Sequence, residues 1–206
     1  MRRIILHWSA GAYGVIPLEA NAYHFLINRD GSVSRGVFDP EDNRPPLRRG
    51  GYAAHTLNLN SDSIGIAVDA MGDAKERPFS AGRWPITNEQ IDALVQLTAD
   101  LCGKYRIPVT RETVLSHAEV QATLGVAQKN KWDIAWLPGM TAPGNPVEIG
   151  DQIRRRVQVA RNERMKAEVA PEVTHPASSS SSSAPLSLRR LIESILSVFL
   201  NPRGKP

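Results

Sequence analysis

The sequence contains a single cysteine, Cys102, and therefore cannot form an intrachain disulfide. A chain without disulfides is typical of synthesis in a reducing compartment. The sequence also lacks an apolar run long enough to span a bilayer, and its first apolar stretch is too short for a secretory signal. We therefore expect synthesis in the cytoplasm without a signal peptide, so that action outside the cytoplasm would require release by another component.

Excess positive charge is absent from most of the chain. Residues 1–150 hold 15 Lys and Arg against 16 Asp and Glu, whereas residues 151–206 hold 10 against 5. A basic C-terminal segment indicates an anionic partner surface, such as phospholipid, lipopolysaccharide or nucleic acid. Phe199 is the sole aromatic residue of this segment, and no nucleic-acid-binding motif accompanies it. We therefore expect no nucleic-acid partner.

Four short segments have the hydrophobic patterns of strands. The apolar run Arg3–His7 predicts a buried strand, and Tyr23–Asn28 predicts a second that leads into an Asp-Gly hairpin turn. Ser63–Asp69 alternates between larger apolar and small or polar residues, which predicts a half-buried strand. Thr113–Ser116 predicts a short strand that ends at a histidine.

Two helices are predicted. The first runs from about Asn88 to Tyr105, is capped by Thr87, and carries Cys102 on its apolar face as a core residue. The second begins after Pro146 and extends into the 160s. Residues 118–145, with scattered Gly and Pro, are predicted to be mostly loop.

Composition divides the chain into three parts. Residues 1–168 form the predicted globular domain, and residues 169–185, with six consecutive serines flanked by prolines, form a flexible linker. Residues 186–206 are predicted to form a basic amphipathic helix and tail. This helix is too short to span a bilayer comfortably but could lie in a membrane interface; docking on the globular domain or oligomerisation is the alternative.

Two histidines and an aspartate stand out as candidate metal ligands. His7 and His117 lie at predicted strand ends, and Asp133 follows in a predicted loop. Two imidazoles and one carboxylate suit zinc, leaving a fourth position for water that the metal makes more acidic. By spacing alone the alternatives stay open: a structural histidine at a strand end, and an aspartate that caps a turn or helix.

Five segments carry a resemblance to a known family: IILHWSAG, AYHFLINRDGSV, HTLNLNSDSIGIAVDA, LSHAEV and KWDIAW, in that order. Together they resemble the type-2 N-acetylmuramoyl-L-alanine amidases, which include phage lysozyme-type enzymes, recycling amidases and peptidoglycan recognition proteins. The resemblance covers about residues 3–140. It implies an α/β fold, a central mixed β-sheet flanked by helices, with a zinc cleft on one side.

The resemblance also implies roles for individual residues. His7, His117 and Asp133 match the three zinc ligands, the last of which is cysteine in many members and aspartate in others. Lys131 and Tyr23 match residues that stabilise the oxyanion formed during amide hydrolysis. From the residues alone, Lys131 could equally be a solvated lysine and Tyr23 a packed strand residue.

This chain departs from the family pattern at two places. Recycling amidases carry a glutamate base where this chain has Ala67; Asp69, on the same strand face, could substitute. The absence of that glutamate, with Tyr23 present, favours the phage-type branch. Between His117 and Asp133 lie 15 residues, including TLGVAQKNK, more than in the best-known members. This longer loop leaves Glu119 as a competing third ligand.

The resemblance further implies that His55 and Asn58, just before the Ser-Ile-Gly strand, line the substrate cleft; as loop residues they could equally have no role.

The predicted function is zinc-dependent hydrolysis of the bond between N-acetylmuramic acid and L-alanine in peptidoglycan, as a phage or prophage endolysin. Two alternatives remain: a recognition protein that binds peptidoglycan without cutting it, and a cytoplasmic amidase that recycles muropeptides. Anionic membrane or lipopolysaccharide is the expected second partner, through the C-terminal segment.

Overall fold

The computed structural model describes the backbone of residues 1–169 and the side chains of residues 1–167. It divides the chain into two units, Met1–Asn162 and Glu163–Pro206, and describes the second only through Val169. The predicted linker, beyond Val169, and the predicted C-terminal helix lie outside the described residues. Among the described residues, no helix combines the length and apolar character that a membrane span requires.

A five-stranded mixed sheet forms the centre of the first unit. The strands are β1 (Arg3–Trp8), β2 (Phe25–Ile27), β3 (Val33–Arg35), β4 (Ser63–Val68) and β5 (Val114–Ser116). Their order across the sheet is β3-β2-β4-β1-β5. The pairs β2–β4, β4–β1 and β1–β5 are parallel, and the hairpin β2–β3 is antiparallel. This arrangement confirms the predicted α/β class with a central mixed sheet.

The helices described by the structure are α1 (Pro17–Ala22), α2 (Asn88–Tyr105), α3 (Val120–Leu124) and α4 (Pro146–Val169). Two 3-10 turns, Pro40–Asn43 and His117–Glu119, complete the regular structure. Helices α1 and α3 are not predicted by the sequence, because helices of six and five residues are too short to show a helical period.

Helix α2 has the start that the sequence predicts. The Thr87 hydroxyl accepts a hydrogen bond from the Gln90 amide, and the Gln90 side chain accepts one from the Thr87 amide. This reciprocal capping satisfies two backbone donors that the first helical turn leaves without partners. Cys102 is fully buried, as expected for a core residue.

Strand β4 differs from its prediction. All six of its residues are buried, because it lies between β2 and β1 at the middle of the sheet and contacts helix α2 as well. Central strands of parallel sheets are covered on both faces. The small residues in its alternating pattern are therefore not on a solvent face; Gly65, for example, lies directly against the ring of His55.

Candidate metal centre and groove

Two neighbouring strands bring the proposed histidine ligands together. His7 is the penultimate residue of β1, and His117 follows β5 directly; the two strands pair in parallel with Leu6 opposite Ser116. Because parallel strands end at the same edge of a sheet, the two rings lie only 4.7 Å apart between centroids. The topology of the sheet thus creates the contact between residues that are far apart in sequence.

Asp133 completes the cluster from a loop. Its Oδ2 lies 3.1 Å from Nδ1 of His7 and 3.1 Å from Nδ1 of His117. The backbone holds it there, since the Ala118 amide donates to the Asp133 carbonyl at 2.7 Å. The candidate ligand atoms of the three residues all lie within 4.8 Å of one another, and all three residues are buried.

The electrostatics of the cluster favour the forms that bind metal. Burial lowers the pKa of His7 to about 4, so that its imidazole is neutral at neutral pH. Burial by itself raises the pKa of Asp133, but the imidazoles of His117 and His7 beside the carboxylate outweigh this and hold the pKa below its usual value. A neutral imidazole and an ionised carboxylate are the protonation states that coordinate metal ions.

The donor set fits zinc. Two imidazole nitrogens and one carboxylate oxygen, buried and converging on one point, match a three-ligand catalytic zinc site with a position left for water or substrate. Hard cations such as Ca²⁺ and Mg²⁺ prefer sites made of oxygen ligands. The residues present therefore favour zinc over these ions.

Tyr23 lies beside the cluster. It follows helix α1 as its C-terminal cap, and its ring centroid is 5.1 Å from that of His7. Burial, and to a smaller degree the negative charge of Asp133, raises the pKa of its hydroxyl. The hydroxyl therefore stays protonated near neutral pH and can donate a hydrogen bond.

A groove of about 570 Å³ opens next to the cluster and includes His117 in its lining. Lys129 and Lys131 line it, together with Asn58 and the backbone region around it, and the lining contains no Asp or Glu. Both lysines and Asn58 are exposed. The groove thus offers cationic and neutral polar groups beside the metal cluster.

His55 borders the groove, as the sequence predicts, but its polar atoms have other contacts. Although it borders the groove, it is only 7% exposed, and its ring nitrogens lie near protein groups. Nδ1 is 3.3 Å from Nε2 of His7 and 2.8 Å from Oγ1 of Thr56, and Nε2 is 3.4 Å from the Ser63 carbonyl. The structure therefore places the polar atoms of His55 behind a proposed ligand and not on the groove surface.

The two acidic residues that the sequence left as alternatives have other contacts. Glu119 forms a buried ion pair with Arg154 at 2.8 Å and accepts a hydrogen bond from the Ser116 amide. Asp69 accepts hydrogen bonds from the Gly14 amide and the Ser9 side chain, and burial raises its pKa. Neither residue belongs to the group of three that the described residues offer a metal.

Sequence reasoning missed Gln128, which contacts the cluster from the loop before Asp133. Its Oε1 lies 2.8 Å from Nε2 of His117, and its side-chain amide donates to the Leu57 carbonyl at 2.9 Å. The sequence carries one relevant signal, the additional length of this loop. That signal does not indicate which residue of the loop turns inward.

Comparison with known proteins supports the family that these features suggest. The family model Amidase_2, described as N-acetylmuramoyl-L-alanine amidase, matches residues 1–144. The chain belongs to this amidase family. The resemblance seen in the sequence is thereby confirmed, and the buried His, His and Asp lie within the matched residues.

Solved structures with partial similarity include two from different sources. The endolysin of bacteriophage Ph2119 from Thermus scotoductus MAT2119 is 21% identical, with a TM-score of 0.39, over 59% of this chain and 74% of that chain. Bumblebee PGRP-SA is 19% identical, with a TM-score of 0.40, over 69% of this chain and 86% of that chain. No curated protein matches the chain.

Proposed function

We propose that this chain is a zinc-dependent N-acetylmuramoyl-L-alanine amidase that hydrolyses the amide bond between N-acetylmuramic acid and L-alanine in peptidoglycan. The observation that carries the proposal is the convergence of His7, His117 and Asp133 beside a groove in a member of the amidase family. His7, His117 and Asp133 would hold the ion. Zinc supplies Lewis acidity and makes water reactive as a nucleophile at neutral pH.

Tyr23 and Lys131 are the proposed groups for the developing negative charge on the carbonyl oxygen. Tyr23 packs against His7 with a protonated hydroxyl, and Lys131 lines the groove that adjoins His117. Donors held in place before the reaction stabilise an oxyanion without reorganising, which is where their catalytic effect arises. In this proposal a phenol packed against the cluster and an ammonium group at the groove both stabilise the oxyanion.

The groove is the proposed binding site for the glycan or the stem peptide. Asn58 is exposed at its edge and can hydrogen-bond to substrate amides or hydroxyls. The lack of acidic side chains in the lining, together with Lys129 and Lys131, suits a substrate that carries carboxylates, as stem peptides do.

The proposed biological setting is lysis of a bacterial cell wall by a phage or prophage endolysin that is made in the cytoplasm and acts after release. The basic residues beyond the described part of the chain are proposed to contact an anionic membrane or lipopolysaccharide. Recognition of peptidoglycan without cleavage and recycling of soluble muropeptides are the competing functions.

A digest of purified peptidoglycan, with and without a chelator and with zinc restored, tests the proposal. Mass spectrometry should find free stem peptides that begin with L-alanine, lost with chelator and regained with zinc. Bound protein with intact peptidoglycan would favour a recognition protein. Faster cleavage of soluble muropeptides than of intact sacculi would favour a recycling amidase.

A further inference from the structure

Two buried side chains lie directly behind the proposed histidine ligands. Gln128 is 3% exposed and meets the ring of His117, and His55 is 7% exposed and meets the ring of His7. Each contact is made to Nε2, the ring nitrogen that faces away from Asp133. Because a neutral imidazole has one N–H and one lone pair, a contact at Nε2 determines what Nδ1 can do.

The hydrogen bonds of Gln128 fix the tautomer of His117. The Leu57 carbonyl can only accept, so the nitrogen of the Gln128 amide must face it, at 2.9 Å. This orientation turns Oε1 of Gln128 towards Nε2 of His117, at 2.8 Å, where an oxygen can only accept. His117 therefore carries its proton on Nε2 and directs the lone pair of Nδ1 towards Asp133.

The hydrogen bonds of His55 fix the tautomer of His7 in the same way. The Ser63 carbonyl can only accept, so His55 carries its proton on Nε2 and has a lone pair on Nδ1. Nε2 of His7 lies 3.3 Å from Nδ1 of His55 and 3.4 Å from Oγ1 of Thr56, and it donates to one of these two acceptors. His7 therefore also directs the lone pair of Nδ1 towards Asp133.

We propose that Gln128 and His55 are positioning residues that hold His117 and His7 in the single tautomer able to bind metal through Nδ1. The proposal rests on the proposed zinc function. It assigns to His55 a role different from substrate contact, and to the longer loop before Asp133 a role in building the metal site. Both chains of hydrogen bonds end on backbone carbonyls, of Leu57 and Ser63, whose accepting character cannot change.

Without Gln128 and His55, the rings of His117 and His7 could also adopt the other tautomer, which cannot bind metal through Nδ1. In the other tautomer an N–H would occupy the position of the metal, and rotation of the ring would be needed to restore a lone pair. Partners that orient ligating histidines in this way commonly change metal affinity by about 10–100-fold. We expect a loss of that size when either partner is removed.

Substitutions at Gln128 separate positioning from simple attachment of the loop. In Gln128→Met, no acceptor faces His117, and we expect the zinc affinity of the folded protein to fall about 10–100-fold. In Gln128→Glu, an acceptor oxygen remains but the hydrogen bond to Leu57 is lost, and we expect affinity within a few-fold of the unaltered chain. Gln121→Met is the matched control: the Gln121 side chain accepts from the Gln128 backbone amide, not from its side chain, and the variant should leave affinity unchanged.

His55→Leu tests the second chain of hydrogen bonds, with a similar loss of zinc affinity expected. Affinity is measured on the full chain by competition with a chromophoric chelator, after circular dichroism has verified folding. Independently of any variant, ¹⁵N NMR of the metal-free protein at neutral pH should show His7, His55 and His117 each protonated on Nε2. This measurement does not depend on whether a substituted chain folds.

The outcomes distinguish the two proposals. Zinc binding by the unaltered chain, with Gln128→Met and His55→Leu equally tight, would overturn the positioning roles and leave the zinc function intact. A Gln128→Glu variant as weak as Gln128→Met would assign Gln128 a role in loop structure alone. Absence of zinc binding by the unaltered chain, even with Nε2–H tautomers, would overturn the zinc function and with it the positioning of ligands.

Discussion

Asp133 is the single residue on which the proposed metal site depends most. It supplies the one negative charge among the three candidate ligands, and both imidazoles converge on its Oδ2. Asp133→Asn removes that charge, and we expect zinc content to fall far below one ion per chain and peptidoglycan hydrolysis to fall at least ~100-fold. Asp133→Cys should retain zinc, because a thiolate is a preferred zinc ligand. Metal analysis and the digest described above measure both effects.

Asp30→Asn is a suitable control, because it makes the same chemical change at an exposed turn. It should leave zinc content and hydrolysis unchanged. An Asp133→Asn variant that kept its zinc would show that another group is the third ligand.

His24 allows a pH prediction at a residue outside the metal cluster. Burial lowers its pKa to about 4, while Asn43 and the Gly65 amide occupy its two ring nitrogens. In the unfolded chain His24 takes up a proton near pH 6.5, whereas in the folded chain it does so only near pH 4. The contribution of His24 to the free energy of unfolding is therefore fully present above pH 6.5. It is lost as the pH falls towards 4, by about 1.4 kcal/mol per pH unit, or roughly 2 kcal/mol at pH 5.

Urea unfolding of the metal-free protein at pH 7 and pH 5 measures this loss. In His24→Leu the share due to His24 should disappear, so that the variant, although less stable at pH 7, depends less steeply on pH. Equal pH dependence in the two proteins would show that His24 is not buried in its neutral form. His7 and His55, whose pKa values burial also lowers, contribute to the slope in both proteins.

At the level of individual residues, the sequence predicted the trio His7, His117 and Asp133 because they lie in short motifs that the family shares. It could not predict that the ring of His55 turns behind His7. That orientation depends on the space left by Gly65, a residue of another segment. A contact between residues distant in sequence leaves no periodic pattern, which is also why Gln128 was missed.

Strand β4 supports the site through its smallest residue. A Cβ added at Gly65 would overlap the ring of His55, so Gly65→Ala must displace that ring or the strand. Overpacking of this kind in a core costs about 1–3 kcal/mol. We expect Gly65→Ala to lower the free energy of unfolding by that amount and, if the positioning role of His55 is correct, to weaken zinc binding as well. Chemical denaturation and chelator competition provide the two measurements.

Gly103→Ala is the matched control for this substitution. Gly103 lies within helix α2, and a Cβ there would meet no atom within 4 Å. Because alanine is a better helix former than glycine, the variant should gain about 0.5–1 kcal/mol without a change in zinc affinity. A Gly65→Ala variant as stable as the unaltered chain would mean that the His55 ring moves freely, which would contradict its close packing against Gly65.

Elements that carry their own local signal were predicted best. Helix α2 has a capping residue, an apolar face and sufficient length, and its observed bounds agree with the prediction. The sequence places strand β4 correctly along the chain but predicts too little burial for it, because an alternating pattern is typical of a strand with one solvent-facing side. Whether a strand is central or at an edge depends on the order β3-β2-β4-β1-β5, which results from packing of the whole sheet.

On the scale of the whole molecule, half of the net charge of +4 lies in the last 37 residues. The described domain brings its acidic and basic residues into local ion pairs, such as Arg111 with Asp151 and Arg154 with Glu119. Residues 1–169 hold 21 Lys and Arg against 19 Asp and Glu, and residues 170–206 hold 4 against 2, so each part has a net charge of +2. The same net charge is therefore more concentrated in residues 170–206, which is the pattern expected if these residues carry attachment to an anionic surface.

Attachment to an anionic surface can be tested on the full chain with vesicles. Arg189, Arg190, Arg203 and Lys205 are the basic residues near its C-terminus, and each contributes about 1 kcal/mol near an anionic bilayer. We expect cosedimentation with phosphatidylglycerol vesicles to exceed that with phosphatidylcholine vesicles and to weaken with salt. Replacing all four residues by Gln should reduce binding to the anionic vesicles at least ~10-fold while cleavage of soluble muropeptides is unchanged. Equal binding to both vesicle types would contradict charge-based attachment; a change in oligomeric state on substitution would instead assign these residues to contacts between protein chains.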